Sequence, residues 1–337
     1  MTVLYVTEYG AKIGFRQGRF VVTKEDDEIA SIPSECIEGI SILGEAVFSS
    51  VAVKRCLSDG ICVTYLSKGG RYFGRLVSTN HVNTFRQRQQ DKLYHSDFAA
   101  NLAKEIVSGK IHNQSIVLYR AAKAITDPNV CNRIFEIREQ MKSMERKGLS
   151  SCSLDELRGC EGLAAKLYFE GLSLCTRNEF KFRGRSRRPP RDPFNSMLSF
   201  GYSVLFNEIY SVLEQKGLNP YFGFFHQDDE KHATLVSDMM EEWRAVIVDA
   251  LVLALISKRE VRLDDFEDNG DQGIAMTRDC IKTLVTQMQK KLATVSHYLK
   301  YVDYETSFSD AIALQINSLC HAIESEDASL YKAIRIS

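Results

Sequence analysis

The chain is short of the residues that break or staple a fold. Only six prolines occur in 337 residues, and four of them (Pro189, Pro190, Pro193, Pro220) crowd between 189 and 220, so most of the chain is free to form long uninterrupted elements. No stretch approaches the roughly 18 to 20 successive apolar residues that span a bilayer, which argues against a membrane protein. The start, Met1-Thr2-Val3-Leu4-Tyr5-Val6, has neither the charged lead nor the small-residue cleavage site of a secretory signal, so a soluble cytoplasmic protein is expected. Nine cysteines, at 36, 56, 62, 131, 152, 160, 175, 280 and 320, are odd in number and form no C-x-x-C pair, against a disulfide framework or a zinc ribbon. An excess of charge is missing too: 43 Lys plus Arg face 44 Asp plus Glu, a net of −1. What remains, 44% apolar and 26% charged, excludes disorder and suits one large or two medium domains.

The neutral total conceals one local imbalance. Arg177, Lys181, Arg183, Arg185, Arg187, Arg188 and Arg191 share fifteen residues with a single acid, Glu179, so this stretch carries +6 and the rest of the chain −7. A polyanion would be drawn to that place. The Pro189-Pro190 pair makes its end a loop, because a helix cannot run through it. Phe180 and Phe182, interleaved with Lys181 and Arg183, are candidates either for stacking on unpaired bases or for anchoring the loop to the core.

The first 80 residues carry the β-branched and aromatic runs of strands: Val3–Val6, Ile13–Phe15 leading through Arg16-Gln17-Gly18-Arg19 to Phe20–Val22, then Ile37–Leu43, Ile61–Leu66 and Arg71–Val77. Ser49-Ser50 can cap a short helix, Val51–Leu57, that stops at Gly60. From about His81 the apolar residues recur three and four apart, predicting helices near 82–109, 112–126, 129–147, 153–175, 194–215, 233–257, 276–302 and 308–325. The expected fold is α+β: a small β-rich domain over 1–80 followed by a larger all-α domain over 81–337. The acidic run from Asp264 to Asp271 is expected to be a solvated loop.

Two features resist a purely structural reading. On the helix over 153–175, Leu154, Leu157, Ala165, Tyr168 and Leu172 share an apolar face, and Glu161 sits in the middle of it. An ionised carboxylate there must be protonated, paired with a base, bound to a metal, or at the edge of a cleft. Further on, His226 ends the aromatic run Tyr221-Phe222-Gly223-Phe224-Phe225, and Asp238 and Glu241 are three apart on the next helix, where like charges repel unless a cation lies between them. One imidazole with two or three carboxylates is a hard donor set, suited to Mg²⁺ or Mn²⁺ rather than zinc. A misplaced acid, a His with paired acids, and an arginine loop between them are the parts of metal-assisted phosphodiester chemistry. Arg86, Arg88 and Lys92 read mainly as a solvated helix face, and secondarily as an extension of the positive track.

The same residues resemble a known family. Glu161-Gly162-Leu163-Ala164-Ala165-Lys166-Leu167-Tyr168 has the pattern E-G-x-A-x-x-x-Y, and Arg185 to Tyr202 the pattern R-x-R-R-P-P-x-D-P-x-N-x-x-L-S-x-G-Y. With Asn219 to His226 and Asp238 to Arg244, they resemble the CRISPR-associated integrase family, the metal-dependent endonucleases that insert new spacers. Ala245, where the family often has proline, and the acidic insert Asp228-Asp229-Glu230 depart from it. The resemblance implies that Glu161, His226 and Glu241 hold Mg²⁺ or Mn²⁺, with Asp238 adjacent or shared. It further implies attack by the 3′-hydroxyl of a DNA fragment on a phosphodiester at a repeat. Arg183, Arg185, Arg187 and Arg188 become candidates for phosphate contacts, and Tyr168, Asn195, Ser199 and Tyr202 for DNA-positioning groups. The partners implied are double-stranded DNA, a second copy paired through the β domain, and a small ferredoxin-like protein. Two rivals stay open: a hydrolytic nuclease on branched DNA or RNA without integration, and a non-catalytic DNA-binding scaffold.

Overall fold

The computed structural model describes residues 2–297 and 302–337. Strands β1 (Thr2–Val6), β2 (Ala11–Arg16), β3 (Arg19–Lys24), β4 (Asp27–Pro33), β5 (Ile37–Leu43) and β6 (Ala46–Phe48) precede helix α1 (Ser50–Asp59), then β7 (Cys62–Leu66) and β8 (Tyr72–Leu76). They form two four-stranded sheets, ordered β1-β5-β7-β8 and β4-β3-β2-β6. The β2–β3 hairpin turns at Gln17-Gly18, both with positive φ, as a two-residue turn between right-twisted strands requires. Helix α1 starts where the Ser49 hydroxyl accepts from Ala52 N and stops at the left-handed Gly60. Ile13, Phe20, Ile40, Ile42 and Val63 close on Ala52 and Cys56 of α1 as one hydrophobic core.

Beyond residue 80 the chain is mostly helical: α2 (Thr84–Leu93), α3 (Asp97–Ala122), α4 (Pro128–Leu149), α5 (Leu154–Leu174), α6 (Pro193–Gln215), α7 (Thr234–Trp243), α8 (Ala250–Ser257), α9 (Arg278–Leu292) and α10 (Phe308–Ser325). A second core runs through them and takes in Leu43 and Leu66 from the β sheet. The β head is fixed to α6, since Arg75 pairs with Glu214 at 3.2 Å, donates to Asn207 at 3.0 Å and lies over the Tyr210 ring. The α+β architecture expected from the sequence is the one observed.

Several boundaries differ from the sequence reading. The break expected at 110–111 is absent: α3 runs through it for 26 residues, and the chain breaks instead at 94–96, where the Ser96 hydroxyl donates to Leu93 O and its extended backbone starts the next helix. The segment over 233–257 contains a π turn, Arg244–Asp249, between α7 and α8. The helix expected over 276–302 ends at Leu292, and its last part, 298–301, lies outside the described residues. The acidic run is not a plain loop: strand β9 (Phe266–Asp268) pairs antiparallel with β10 (Ile274–Met276). This hairpin sits on the arginine loop, where Ile274 N donates to Pro190 O at 2.9 Å and Gly273 leaves no room for a Cβ against Pro189 and Pro190.

Candidate active site

Helices α3, α5 and α7 meet at one point because small residues let them approach. Gly109 on α3 faces Glu242 of α7, where a Cβ would come within 3.2 Å of the Glu242 side chain. That close approach brings the next residue, Lys110, between α5 and α7. On α5 the buried positions are Leu157, Ala164, Tyr168, Gly171 and Leu172, so Glu161 does stand in the middle of the buried stripe, which includes Ala164 rather than Ala165.

Glu161 and Glu241 converge, and what lies between them is the ammonium of Lys110. Its Nζ contacts Glu161 Oε1 and sits 2.7 Å from Glu241 Oε2. Lys110 is 7% exposed, Glu241 2%, Glu161 22% and His226 32%, so the cluster is closed on the α3 and α7 sides and opens past Glu161 and His226. Glu241 Oε1 faces Arg244 at 3.1 Å and His226 Nε2 at 3.6 Å. Burial alone would raise its carboxyl, but Arg244, Lys110 and His226 outweigh burial and hold it down at about 2. Glu241 is therefore ionised, and its buried Oε2, for all its closeness to the ammonium, accepts no well-formed hydrogen bond.

His226 is held by Asp238. The Asp238 side chain is buried, and its two oxygens serve four donors: Phe224 N at 2.6 Å and Phe225 N at 3.0 Å on Oδ2, His226 N at 3.0 Å and the His226 ring Nδ1 at 2.6 Å on Oδ1. With Nδ1 on the Asp238 carboxylate, Nε2 is the ring nitrogen that points at Glu241. Asp238 thus orients the imidazole and folds the loop, and its oxygens have nothing left for a cation. The loop is tied to α5 as well, by Arg158, which donates to Phe225 O at 3.0 Å. His232 is half-buried and turned away, its Nε2 at 2.8 Å from Ser237 Oγ.

The groups expected to touch DNA divide into two sets. Arg183, Arg187 and Arg188 are exposed, and none of them has a carboxylate partner among the described residues. Arg185 instead turns inward, donating to Asn195 Oδ1 at 2.9 Å and to Ser199 Oγ at 3.0 Å, with its guanidinium over the Tyr202 ring. Tyr168 and Asn195 are buried, so a role as surface contacts gives way to one as supports. Tyr168 and Tyr202 both donate to Asp249 at the end of the π turn, at 2.7 and 2.6 Å. Burial raises the Asp249 carboxyl to about 6 against the pull of those hydroxyls, Arg185 and Arg244. Arg244 covers the Tyr202 ring too, so one aromatic ring links the arginine loop to the Glu241 cluster. Phe180 and Phe182 are buried, Phe182 stacked on Phe194 at 4.4 Å, which settles them as anchors rather than base platforms. Arg86 and Lys92 face Glu324 and Glu326 at the α10 end, which offsets their charge, while Arg88 stands exposed on the same helix.

Lys110, Arg158, Arg244 and Asp249 were not singled out from the sequence. For Lys110 the signal was present: Ile106, Val107 and Ile111 surround it, and a charge on an apolar stripe is the same anomaly that marked Glu161. Among the described residues no three His, Cys, Asp or Glu side chains stand as a finished metal cage. The donors nevertheless fit a hard divalent cation, since two carboxylates gather round an ammonium, one buried carboxylate oxygen lacks a hydrogen bond, and an imidazole nitrogen faces the other oxygen of Glu241.

Comparison with solved structures identifies the class of fold. A CAS1 protein from Thermotoga maritima superposes with a TM-score of 0.80 at 21% identity, across 96% of this chain and 97% of that one. A casposase bound to integration product does so at 0.81 and 21% identity, across 100% and 96%. In sequence, residues 4–290 match the family described as CRISPR associated protein Cas1. The CRISPR-associated endonuclease Cas1 of Mycobacterium tuberculosis (strain CDC 1551 / Oshkosh) is 37% identical over 328 residues, spanning 96% of this chain and 94% of its own length. CRISPR-associated endonuclease Cas1 1 of Chlorobaculum tepidum is 32% identical over 296 residues, 86% of each. The chain belongs to the Cas1 family.

Proposed function

We propose that this protein is a spacer-acquisition nuclease and integrase that handles DNA with Mg²⁺ or Mn²⁺ held by Glu161, His226 Nε2 and Glu241. The observation that supports the reading is the approach of Glu161 from α5 and Glu241 from α7 to one ammonium, with His226 Nε2, from the loop before α7, 3.6 Å from the other oxygen of Glu241. When bound, the divalent cation supplies Lewis-acid polarisation of the phosphate and a template for the displacement. The chain supplies the rest. Asp238 keeps the imidazole nitrogen aimed, and Arg244 balances the charge of Glu241. Arg183, Arg187 and Arg188 take DNA phosphates, while Arg185, locked by Asn195 and Ser199, sets the path of the loop that carries them. The incoming 3′-hydroxyl oxygen bonds to phosphorus, its proton leaves, and the neighbouring 3′-oxygen departs as a hydroxyl; with water in place of the 3′-hydroxyl the outcome is strand cleavage. A Cas6-RT-Cas1–Cas2 complex contains a chain of the same fold, 36% of which this chain covers. That likeness supports an adaptation partner; the small ferredoxin-like kind, a homodimer through the β head and a duplex DNA cargo are what the family resemblance implies.

The pairing of both acids with Lys110 favours one second reading, a non-catalytic DNA-binding scaffold. The test is a joining assay with a labelled 3′-hydroxyl fragment and a supercoiled repeat-bearing target, titrated with Mn²⁺, on wild type and Glu161→Ala. Metal-dependent joining by wild type, lost in Glu161→Ala with duplex affinity retained, is expected. Joining by Glu161→Ala would overturn the assignment; DNA binding by wild type with no cutting or joining at any Mn²⁺ concentration would favour the scaffold. Cleavage without covalent linkage would favour a purely hydrolytic nuclease.

A further inference from the structure

We propose that Lys110 is the resident counter-cation of this site: its ammonium holds Glu161 and Glu241 together before metal arrives and must be displaced for a divalent cation to bind. The inference rests on the reading of Glu161, His226 and Glu241 as the metal donors and adds what that reading lacks, an account of how two acids can be kept side by side without metal.

The need for such a group is electrostatic. Glu241 is almost fully buried and paired with both Arg244 and Lys110, and Glu161 approaches it from another helix. Two carboxylates converging in a low-dielectric pocket repel strongly unless a positive charge lies between them. Arg244 serves Glu241 Oε1 from the far side, and Oε2, the oxygen on the Glu161 side, is faced by Lys110. Among the described ion pairs Lys110 is the one that joins the two acids. A compact ammonium suits this duty better than a guanidinium would, being a point charge that needs no planar fork of acceptors.

The geometry also shows why the ammonium must leave. It occupies the space between the carboxylates into which a shared cation would go. Lysine has a flexible four-carbon stem, so its head can move while α3 stays packed through Ile106 and Ile111. Metal binding is then an exchange of one cation for another, and the affinity measured is the intrinsic affinity reduced by the cost of expelling the ammonium. Lys110 is a positioning residue that preorganises the acids and sets the threshold metal concentration.

The experiment is Mn²⁺ binding by the full chain, followed by the electron paramagnetic resonance signal of free Mn²⁺, for wild type, Lys110→Met and Lys110→Arg. Methionine keeps an unbranched side chain one atom shorter and removes the competing charge. Lys110→Met is expected to bind Mn²⁺ at least about tenfold more tightly than wild type, about 1.4 kcal/mol, while its metal-free melting temperature falls and Mn²⁺ raises it by more than in wild type. Lys110→Arg keeps the charge and is expected to gain no affinity, a contrast that a mere packing role would not produce. Lys110→Met binding Mn²⁺ no more tightly than wild type overturns the inference and leaves the metal reading standing; Mn²⁺ bound by neither overturns the metal reading as well. If Lys110→Met does not fold, a crystal of wild type soaked in Mn²⁺ decides. The lysine Nζ is expected beyond about 4 Å from Glu241 Oε2, outside ion-pair range, and an ammonium still bridging the acids beside a bound Mn²⁺ overturns the inference.

Discussion

Asp238→Asn is the most informative single change at this site, because the structure assigns Asp238 a task that a direct metal ligand could not perform. Its two oxygens accept four hydrogen bonds, two on each. Asparagine keeps one acceptor oxygen and turns the other into a donor, so whichever way the amide is placed, two of the four donors face an NH₂ group. A buried donor left without an acceptor costs about 1–3 kcal/mol. The loss of stability is therefore roughly 2–6 kcal/mol before relaxation. If the oxygen stays with the two backbone amides of Phe224 and Phe225, the imidazole loses the carboxylate on Nδ1 that keeps Nε2 aimed at Glu241. Removing such an outer partner weakens metal binding by roughly 10–100-fold. Urea denaturation gives the first quantity and Mn²⁺ titration the second, on the same preparation. Asp238→Asn with wild-type unfolding midpoint and wild-type Mn²⁺ affinity would refute the positioning role.

Arg187→Ala/Arg188→Ala should weaken duplex binding uniformly across sequences. The log–log salt dependence should flatten by about 0.9 for each DNA phosphate that the two arginines no longer neutralise, read from fluorescence anisotropy at several salt concentrations; an unchanged slope would show that the loop clamps no phosphates. Glu242 makes a separate prediction about pH. It is buried beside Glu241, accepts from the Tyr331 hydroxyl and from Ile334 N, and burial pushes its carboxyl up to about 8 from an ordinary 4.5. A folded state that keeps this proton longer than the unfolded one is favoured fully below about pH 4.5 and loses that advantage as pH rises toward 8. The slope contributed is about 1.4 kcal/mol per pH unit. Glu242→Gln should remove that share of the slope, measured as unfolding midpoints from pH 5 to 8, and an equal slope in the two proteins would show that Glu242 is already ionised when folded.

Local patterns carried the β head and most helices: the turn residues at Gln17-Gly18, the serine caps at 49 and 153, and prolines opening α4 and α6 all act within a few positions of themselves. Glu161 was legible for the same reason, since an acid on an apolar stripe is a contradiction visible in one helix. Lys110 poses the same contradiction on α3, yet a helix boundary drawn at 109–112 placed it in a linker and hid it. Gly109 invites that error, because a helical glycine reads as an ending, whereas here it makes room for Glu242. The fourfold use of Asp238 was beyond reach for another reason: its donors are mostly backbone amides, and which amides converge depends on how a loop closes. Tyr168, Asn195 and Tyr202 show the converse, where residues tied to the site by pattern turn out to support it from within through Asp249 and Arg185. Side chains that neutralise buried charge arrive from distant helices in pairs. An acid stranded on one apolar stripe is therefore reason to search every other stripe for the base that answers it, and in this chain that search leads from Glu161 to Lys110.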